Sequence, residues 1–261
     1  MRRPYACAVV VLTLLAVSVP AVGLDMLSGD GWRSWRVAAV GNVGDLCCYD
    51  WNAGNATRKP CDLDRRSGGY GSAGTPAAAP ETMQIYALLD GGKPVRVHTF
   101  SASCPVTSTG EIDDLGRIDE TDSVAWLQRQ VSEEPVLNGQ LLAAISVHGG
   151  DYSRDVLVRF AEQHESLQTR KDALFWLGQF RGAETMPTLE RIAYDDPDGG
   201  MRQHALFILS QLPNEAGIDS LIAVVGNRDF RYEDRKNALF WLAQSNSDRA
   251  LEFLAALLSS D

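Results

Sequence analysis

The sequence predicts an α-solenoid of helical hairpins preceded by a small mixed α+β domain stabilised by disulfides. Three observations carry this. A five-residue block recurs at near-constant spacing in the second half of the chain. The cysteines beyond the N-terminal apolar run all fall in the first half. Between residues 24 and 118, short alternating runs and turn signals take the place of helical periodicity.

The repeat is the strongest of these. Ala173-Leu174-Phe175-Trp176-Leu177 returns as Ala205-Leu206-Phe207-Ile208-Leu209 and again as Ala238-Leu239-Phe240-Trp241-Leu242, at offsets of 32 and 33 residues. One more step back lands on a degenerate copy, Leu141-Leu142-Ala143-Ala144-Ile145. After each block a short polar or Gly/Pro-containing turn leads to a second helix, near 151–163, 183–193, 215–225 and 247–258. Leu189 with Ile192, Leu221 with Val224, and Leu254 with Leu257 occupy equivalent core positions in the last three. A fixed period of this length with two helices per unit is the signature of stacked hairpins, here about four of them over 119–261. A helix from Thr121 to Glu134 and the domain before it cover the first unit.

Residues 24–118 read differently. Ser34–Val40 and Gln84–Leu89 are short strands, and Asp90-Gly91-Gly92-Lys93 turns the second into Val95–Phe100, a β-hairpin. Residues 67–80, rich in Gly, Ala, Ser and Pro, form a flexible loop, and the segment as a whole is strand-poor. Cys47, Cys48, Cys61 and Cys104 make two disulfides. Adjacent cysteines do not readily bond to each other, so Cys47 and Cys48 reach separately to Cys61 and Cys104, in either order. Trp32, Trp35, Tyr49 and Trp51 surround the cysteine pair and form an apolar cluster over the disulfides or an exposed patch.

The N-terminus gives a compartment. Arg2 and Arg3 precede an apolar run from Ala6 to Val19, and Ala21-Val22-Gly23 follows as a small-residue cleavage site, the anatomy of a signal peptide over 1–23. The expected location is periplasmic or secreted, with no membrane insertion after cleavage. Losing Arg2 and Arg3 takes the formal charge from −10 to −12. Such an acidic chain is a poor nucleic-acid binder, because affinity for the phosphate backbone comes from Lys and Arg.

The helical blocks resemble HEAT repeats, particularly the short kind shared with phycobilisome-lyase-type proteins: a basic opening, an A-L-x-x-L core and a polar turn. Here these read Arg170-Lys171-Asp172-Ala173-Leu174-Phe175-Trp176-Leu177-Gly178 and Arg235-Lys236-Asn237-Ala238-Leu239-Phe240-Trp241-Leu242-Ala243. The whole layout is similar to that of bacterial exported HEAT-repeat proteins. The resemblance covers residues 136–259 and implies a scaffold that binds a protein partner, with the second helices lining a concave side.

Candidate contacts are Arg170, Lys171, Arg202, Arg235 and Lys236, which stacking would align in a column. They sit in opening turns, where the helix macrodipole disfavours cations. Either acids such as Asp195, Asp196, Asp198, Asp229, Glu233 or Asp234 pair with them, or the column is a basic stripe for an acidic partner segment. The aromatic column Phe175, Phe207 and Phe240, with Trp176 and Trp241, reads as core between repeats.

No HExxH, GxSxG, CxxC, CxxCH or P-loop is present, and Gly69–Gly74 matches GxGxxG only in loop composition. His98, His148, His164 and His204 lie apart in sequence, and Asp113-Asp114 and Asp119-Glu120 read as capping acids in a turn before the first helix. The expectation is therefore a chain that is not an enzyme and needs no cofactor or metal. The alternative is a thiol/disulfide-active or metal-binding protein using the Cys47–Cys48 pair.

Overall fold

The computed structural model describes residues 27–41, 43–52, 55–65, 70–71, 79–132 and 135–259. The proposed signal peptide, and all of the Gly/Ala-rich loop except Tyr70, Gly71, Ala79 and Pro80, lie outside them.

The β-rich part is built on β1 (Gly31–Ala38), β2 (Cys47–Asn52), β3 (Asn55–Lys59), β4 (Cys61–Asp62), β5 (Tyr70–Gly71), β6 (Thr82–Asp90), β7 (Lys93–Ser101), β8 (Val106–Thr107) and β9 (Ile112–Arg117). The expectation of a strand-poor segment is corrected by these. The main sheet has the order β7-β6-β1-β9. β1 pairs antiparallel with β6, Trp35 opposite Ile85, and parallel with β9, Ser34 opposite Asp114. Asp113 and Asp114 therefore belong to an edge strand, not to a capping turn. β6 and β7 form the expected hairpin, whose turn places Gly91 at φ 57° and Gly92 at φ 76°, a region open to glycine at no steric cost.

A smaller sheet, β3-β2-β5, carries the cysteine pair, and β4 pairs with β8. Cys47 bonds to Cys104 across a Cα separation of 5.6 Å, and Cys48 to Cys61 across 5.3 Å. All four lie in one buried cluster with Trp32, Leu63, Tyr86 and Phe100. Trp32 and Tyr49 pack there, whereas Trp35 belongs to the helical side and Trp51 is exposed. By restricting the unfolded chain, the shorter crosslink contributes roughly 3 kcal/mol and the longer roughly 4.

The helical part comprises α1 (Glu120–Gln130), α2 (Pro135–Ser146), α3 (Asp151–Gln163), α4 (Leu167–Arg181), α5 (Met186–Asp195), α6 (Gly199–Gln211), α7 (Ile218–Gly226), α8 (Tyr232–Gln244) and α9 (Asp248–Ser259). Short 3₁₀ turns at Gly182–Thr185 and Pro213–Glu215 lead toward α5 and α7. Polar side chains begin several helices: Asp119, Ser166 and Asp198 accept from the backbone N–H groups of Thr121, Thr169 and Met201. The four recurring blocks fall on α2, α4, α6 and α8.

Those four helices touch in sequence, α2 on α4, α4 on α6 and α6 on α8. In the layer made by α3, α5, α7 and α9 the neighbours stand further apart, α7 and α9 being the nearest of them. Gly178 permits one close approach, since a Cβ there would stand 2.2 Å from Ile208 Cγ2. One buried cluster runs from Trp35 and Ile85 in the sheet through Leu127, Leu142, Leu174 and Leu206 to Leu242 and Ala250. Leu189, Ile192, Leu221 and Val224 are buried in it. Leu254 is half-buried and Leu257 exposed, because no described residue packs beyond α9.

Sheet and helices are joined by backbone. Val40 N–H donates to Val147 O at 2.8 Å and Gly149 N–H to Ala38 O at 3.0 Å, so the end of β1 runs against the α2–α3 turn. The approach requires glycine, as a Cβ on Gly149 would meet Ala39 O at 2.7 Å. Gln140 Oε1 accepts from Val97 N–H at 2.9 Å, which ties α2 to β7.

Candidate functional site

The basic column resolves into two groups. Arg170 Nε donates to Ala161 O at 2.9 Å and its guanidinium pairs with Asp196. Arg202 is buried; Nε donates to Asp234 Oδ2 at 2.7 Å and Nη1 to Asp196 O at 2.8 Å. Arg235 Nε faces Val225 O at 3.4 Å. The conflict with each residue's own helix N-terminus is thereby relieved: each guanidinium lies on carbonyls at or just past the C-terminus of the preceding helix, where a cation is favoured. Asp196 and Asp234 extend the contact to the next unit. Arg202, buried, and Arg170, half-buried, are both committed to internal pairs. Lys171 and Arg235 are half-buried and Lys236 is exposed.

Sequence reasoning missed a second series on the other layer. Glu162 pairs with Arg191, Ser220 Oγ donates to Glu190 Oε1 at 2.7 Å, and Asp219 pairs with Arg249. These links run from α3 to α5, α5 to α7 and α7 to α9. Their spacing of 29 to 30 residues was a signal available in the sequence, hidden by the different residue types used.

The aromatic column is not fully buried core, and this corrects the expectation. Phe175, Trp176, Phe207 and Trp241 are half-buried and Phe240 is 53% exposed. Phe207 and Trp241 lie 5.0 Å apart between ring centroids, Phe240 and Trp241 4.9 Å, and Phe175 and Trp176 5.1 Å. Beside them opens a cleft of about 830 Å³ between α4 and α6. Phe175, Phe207, Ile208 and Pro213 supply its apolar lining, and Gln179, Gln211 and Asn214 its amides. At its rim, Asn214 (φ 55°) and Glu215 (φ 58°) are held in the left-handed region, a conformation costing about 1–2 kcal/mol for a non-glycine residue.

At the junction with the sheet, Ser123 and His148 form a pair that would suggest a nucleophile and base. His148 Nδ1 faces Ile145 O at 3.1 Å and so carries the proton; Nε2, 2.8 Å from Ser123 Oγ, accepts from that hydroxyl. Ser123 Oγ in turn accepts from Trp35 Nε1 at 2.8 Å. Both residues are fully buried, and burial lowers the His148 pKa to about 4. Arg181 Nη2 donates at 2.7 Å to His148 O, Gly150 O and Ser153 Oγ. This is a sealed structural network with no approach for a substrate.

In the cysteine region, both sulfurs of the adjacent pair are bonded and buried. Tyr49 donates to Asp45 at 2.7 Å and Arg58 pairs with the same carboxylate. Burial would raise the Asp45 pKa, but hydrogen bonds from Tyr49, Ser101 and Arg58 outweigh it and hold the carboxyl below its ordinary range. His98 lies between the rings of Trp32 and Phe100 with Nε2 on Leu63 O at 3.1 Å, and burial lowers its pKa. Among the described residues, no His, Cys, Asp and Glu side chains converge as a metal ligand set, and no helix is long and apolar enough to cross a membrane.

A family model described as PBS lyase HEAT-like repeat matches residues 234–260, the span of α8 and α9. The chain carries a HEAT-like repeat. Among solved structures, the chain is similar to the complex of CpcE and CpcF of phycocyanin lyase from Nostoc sp. PCC7120. Identity is 14% over 54% of this chain and 91% of that one, with a TM-score of 0.40. No curated protein matches the chain. The expectation that this chain is not an enzyme, drawn from missing motifs, is corrected here: the family model that matches residues 234–260 carries the name of a lyase, and missing motifs do not show that a chain lacks activity.

Proposed function

We propose that the helical half is a short α-solenoid acting as a protein-docking scaffold, and that its partner lies on the layer formed by α2, α4, α6 and α8. The closer contacts along that layer support an inward curve there rather than on the second helices, where the resemblance to HEAT repeats would put it. The observation that carries the reading is the row of half-exposed rings beside the α4–α6 cleft. Rings supply large contact area at little entropic cost, and neutral amides pair with a peptide backbone. That combination suits an uncharged, apolar stretch of extended polypeptide. The left-handed residues at the rim fit a binding edge held in place by the turn. Within the basic column, Lys171, Arg235 and Lys236 remain for charge contacts.

The same reading places the protein outside the reducing cytoplasm, supported by the two disulfides and the apolar run at Ala6–Val19.

Site-specific photocrosslinking tests the face. A photoreactive residue at Gln179 or Gln211 is expected to give polypeptide adducts that Phe240→Asp diminishes. The same residue at exposed Ala223 on α7 is expected to give none. Adducts from Ala223 alone would reject the assignment.

A further inference from the structure

The rings beside the α4–α6 cleft do not stand alone. One helical turn after each phenylalanine comes a glutamine: Phe175 with Gln179, Phe207 with Gln211 and Phe240 with Gln244, at the 32- and 33-residue offsets of the repeat. Residues four apart share one side of a helix, and all three glutamines are exposed. Gln179 and Gln211 line the cleft together with Phe175 and Phe207. Phe240 and Gln244 hold the same places on α8, and Trp241, in ring contact with both Phe207 and Phe240, closes the interval. The first unit has Ala143 and Val147 at the matching positions, so the row begins at α4 and crosses α6 and α8.

The amides of this row have N–H groups to give. Among the described residues no hydrogen bond engages the side chain of Gln179 or Gln244, and Gln211 gives one of its two N–H groups to Ser210 Oγ at 3.0 Å. Their spacing selects what can accept from them. Packed helices stand about 8–10 Å apart. A β-strand repeats every two residues, about 6.6 Å, so its carbonyls fall out of step with one amide per helix. A polyproline II helix repeats every three residues, about 9.3 Å, and turns every third carbonyl to the same side. Its backbone makes no internal hydrogen bonds, and a proline-rich one offers carbonyl acceptors with few N–H donors. Glutamine N–H groups meet that need, and pyrrolidine rings pack on aromatic faces.

We propose that the row binds a proline-rich polyproline II segment of a partner protein, with Gln179, Gln211 and Gln244 donating to carbonyls three residues apart. Two helix-to-helix steps correspond to a segment of about seven residues crossing α4, α6 and α8. This rests on the docking face assigned above and adds the class of partner that the face takes. The neutral lining suits a segment without charge, and a ligand already held in one backbone conformation loses little entropy on docking.

Titration of the chain with an acetylated and amidated nonaproline peptide, followed by tryptophan fluorescence, is expected to saturate, since Trp176 and Trp241 lie in ring contact with the row. A Gly-Ser peptide of the same length is expected to bind at least about tenfold more weakly, having the same carbonyls without the preformed helix. Gln211→Glu and Gln244→Glu keep the size of the side chain and remove its N–H groups. Each is expected to weaken the proline peptide about tenfold while the helical circular dichroism signal stays unchanged. No saturation, equal affinity for the two peptides, or indifference to both glutamine changes overturns the proposal. Photocrosslinking from Gln179 separates this from the docking face itself: polypeptide adducts without nonaproline binding reject the proline-rich class alone, whereas the lack of any adduct rejects the face and with it the proposal.

Discussion

The buried His148 makes stability depend on pH in a direction that can be calculated. Its pKa is lowered to about 4 from an ordinary value of 6.5, because burial disfavours the imidazolium. A lowered histidine is stabilising as the neutral form. The contribution is therefore complete above pH 6.5, declines as pH falls from 6.5 towards 4, and is gone below. Integrated down to pH 5, a single group of this kind removes about 2 kcal/mol. The groups around it act in known senses: Arg181 adds a nearby positive charge, and Ile145 and Ala144 carbonyls work against the lowering. His98 and His204, also lowered by burial, add to the same slope. Urea unfolding at pH 7 and pH 5, on the wild type and on His148→Gln, isolates the share of this residue. The variant is expected to be less stable at pH 7 and to lose about 2 kcal/mol less on acidification. An equal pH dependence in both proteins would refute the assignment of a neutral, sealed imidazole.

Two further outcomes follow from the helical layers. Removing one partner of the buried Arg202–Asp234 pair is expected to cost about 3–5 kcal/mol, since a charge remains without its counterion; Arg202→Met with Asp234→Leu should cost much less than the two single changes together, and additivity in denaturant titrations would count against a coupled pair. Gly178→Ala should destabilise by about 1–3 kcal/mol although alanine favours a helix, because the new methyl meets Ile208 Cγ2; with Ile208→Ala in the same chain this extra cost should vanish, and a thermal midpoint raised by Gly178→Ala alone would contradict the packing.

Where the sequence could be read and where it could not has a physical pattern. The helical blocks were visible because identical residues face identical surroundings in each unit. β2 was not, because the alternation of Tyr49 and Trp51 with Asp50 and Asn52 spans only four residues and marks no core face: Trp51 faces solvent. β9 was obscured because Asp113 and Asp114 read as loop acids, yet an edge strand tolerates them and Arg33 and Arg36 on β1 pair with them. The disulfide partners depended on chain path, which no spacing records. Helical periodicity told which residues share a side of one helix but not which layer curves inward, so the rings were assigned to core. For the basic column the sequence offered two roles without choosing, because the decision rests on the depth at which Asp196 and Asp234 lie.

The strand-like contact between Ala39 and His148 carries a last consequence for how the molecule comes apart. Because the end of β1 is bonded to the α2–α3 turn, and one apolar cluster crosses that seam, cutting the chain near residue 118 would strand half of a shared interior on each fragment. Opening should begin instead at the far end, with α9, where a single buried residue anchors the helix, and propagate back toward the sheet. Amide exchange should therefore grade along the helices, fastest in α9 and slowest in α2, giving a molecule that frays from one side while its other side remains closed.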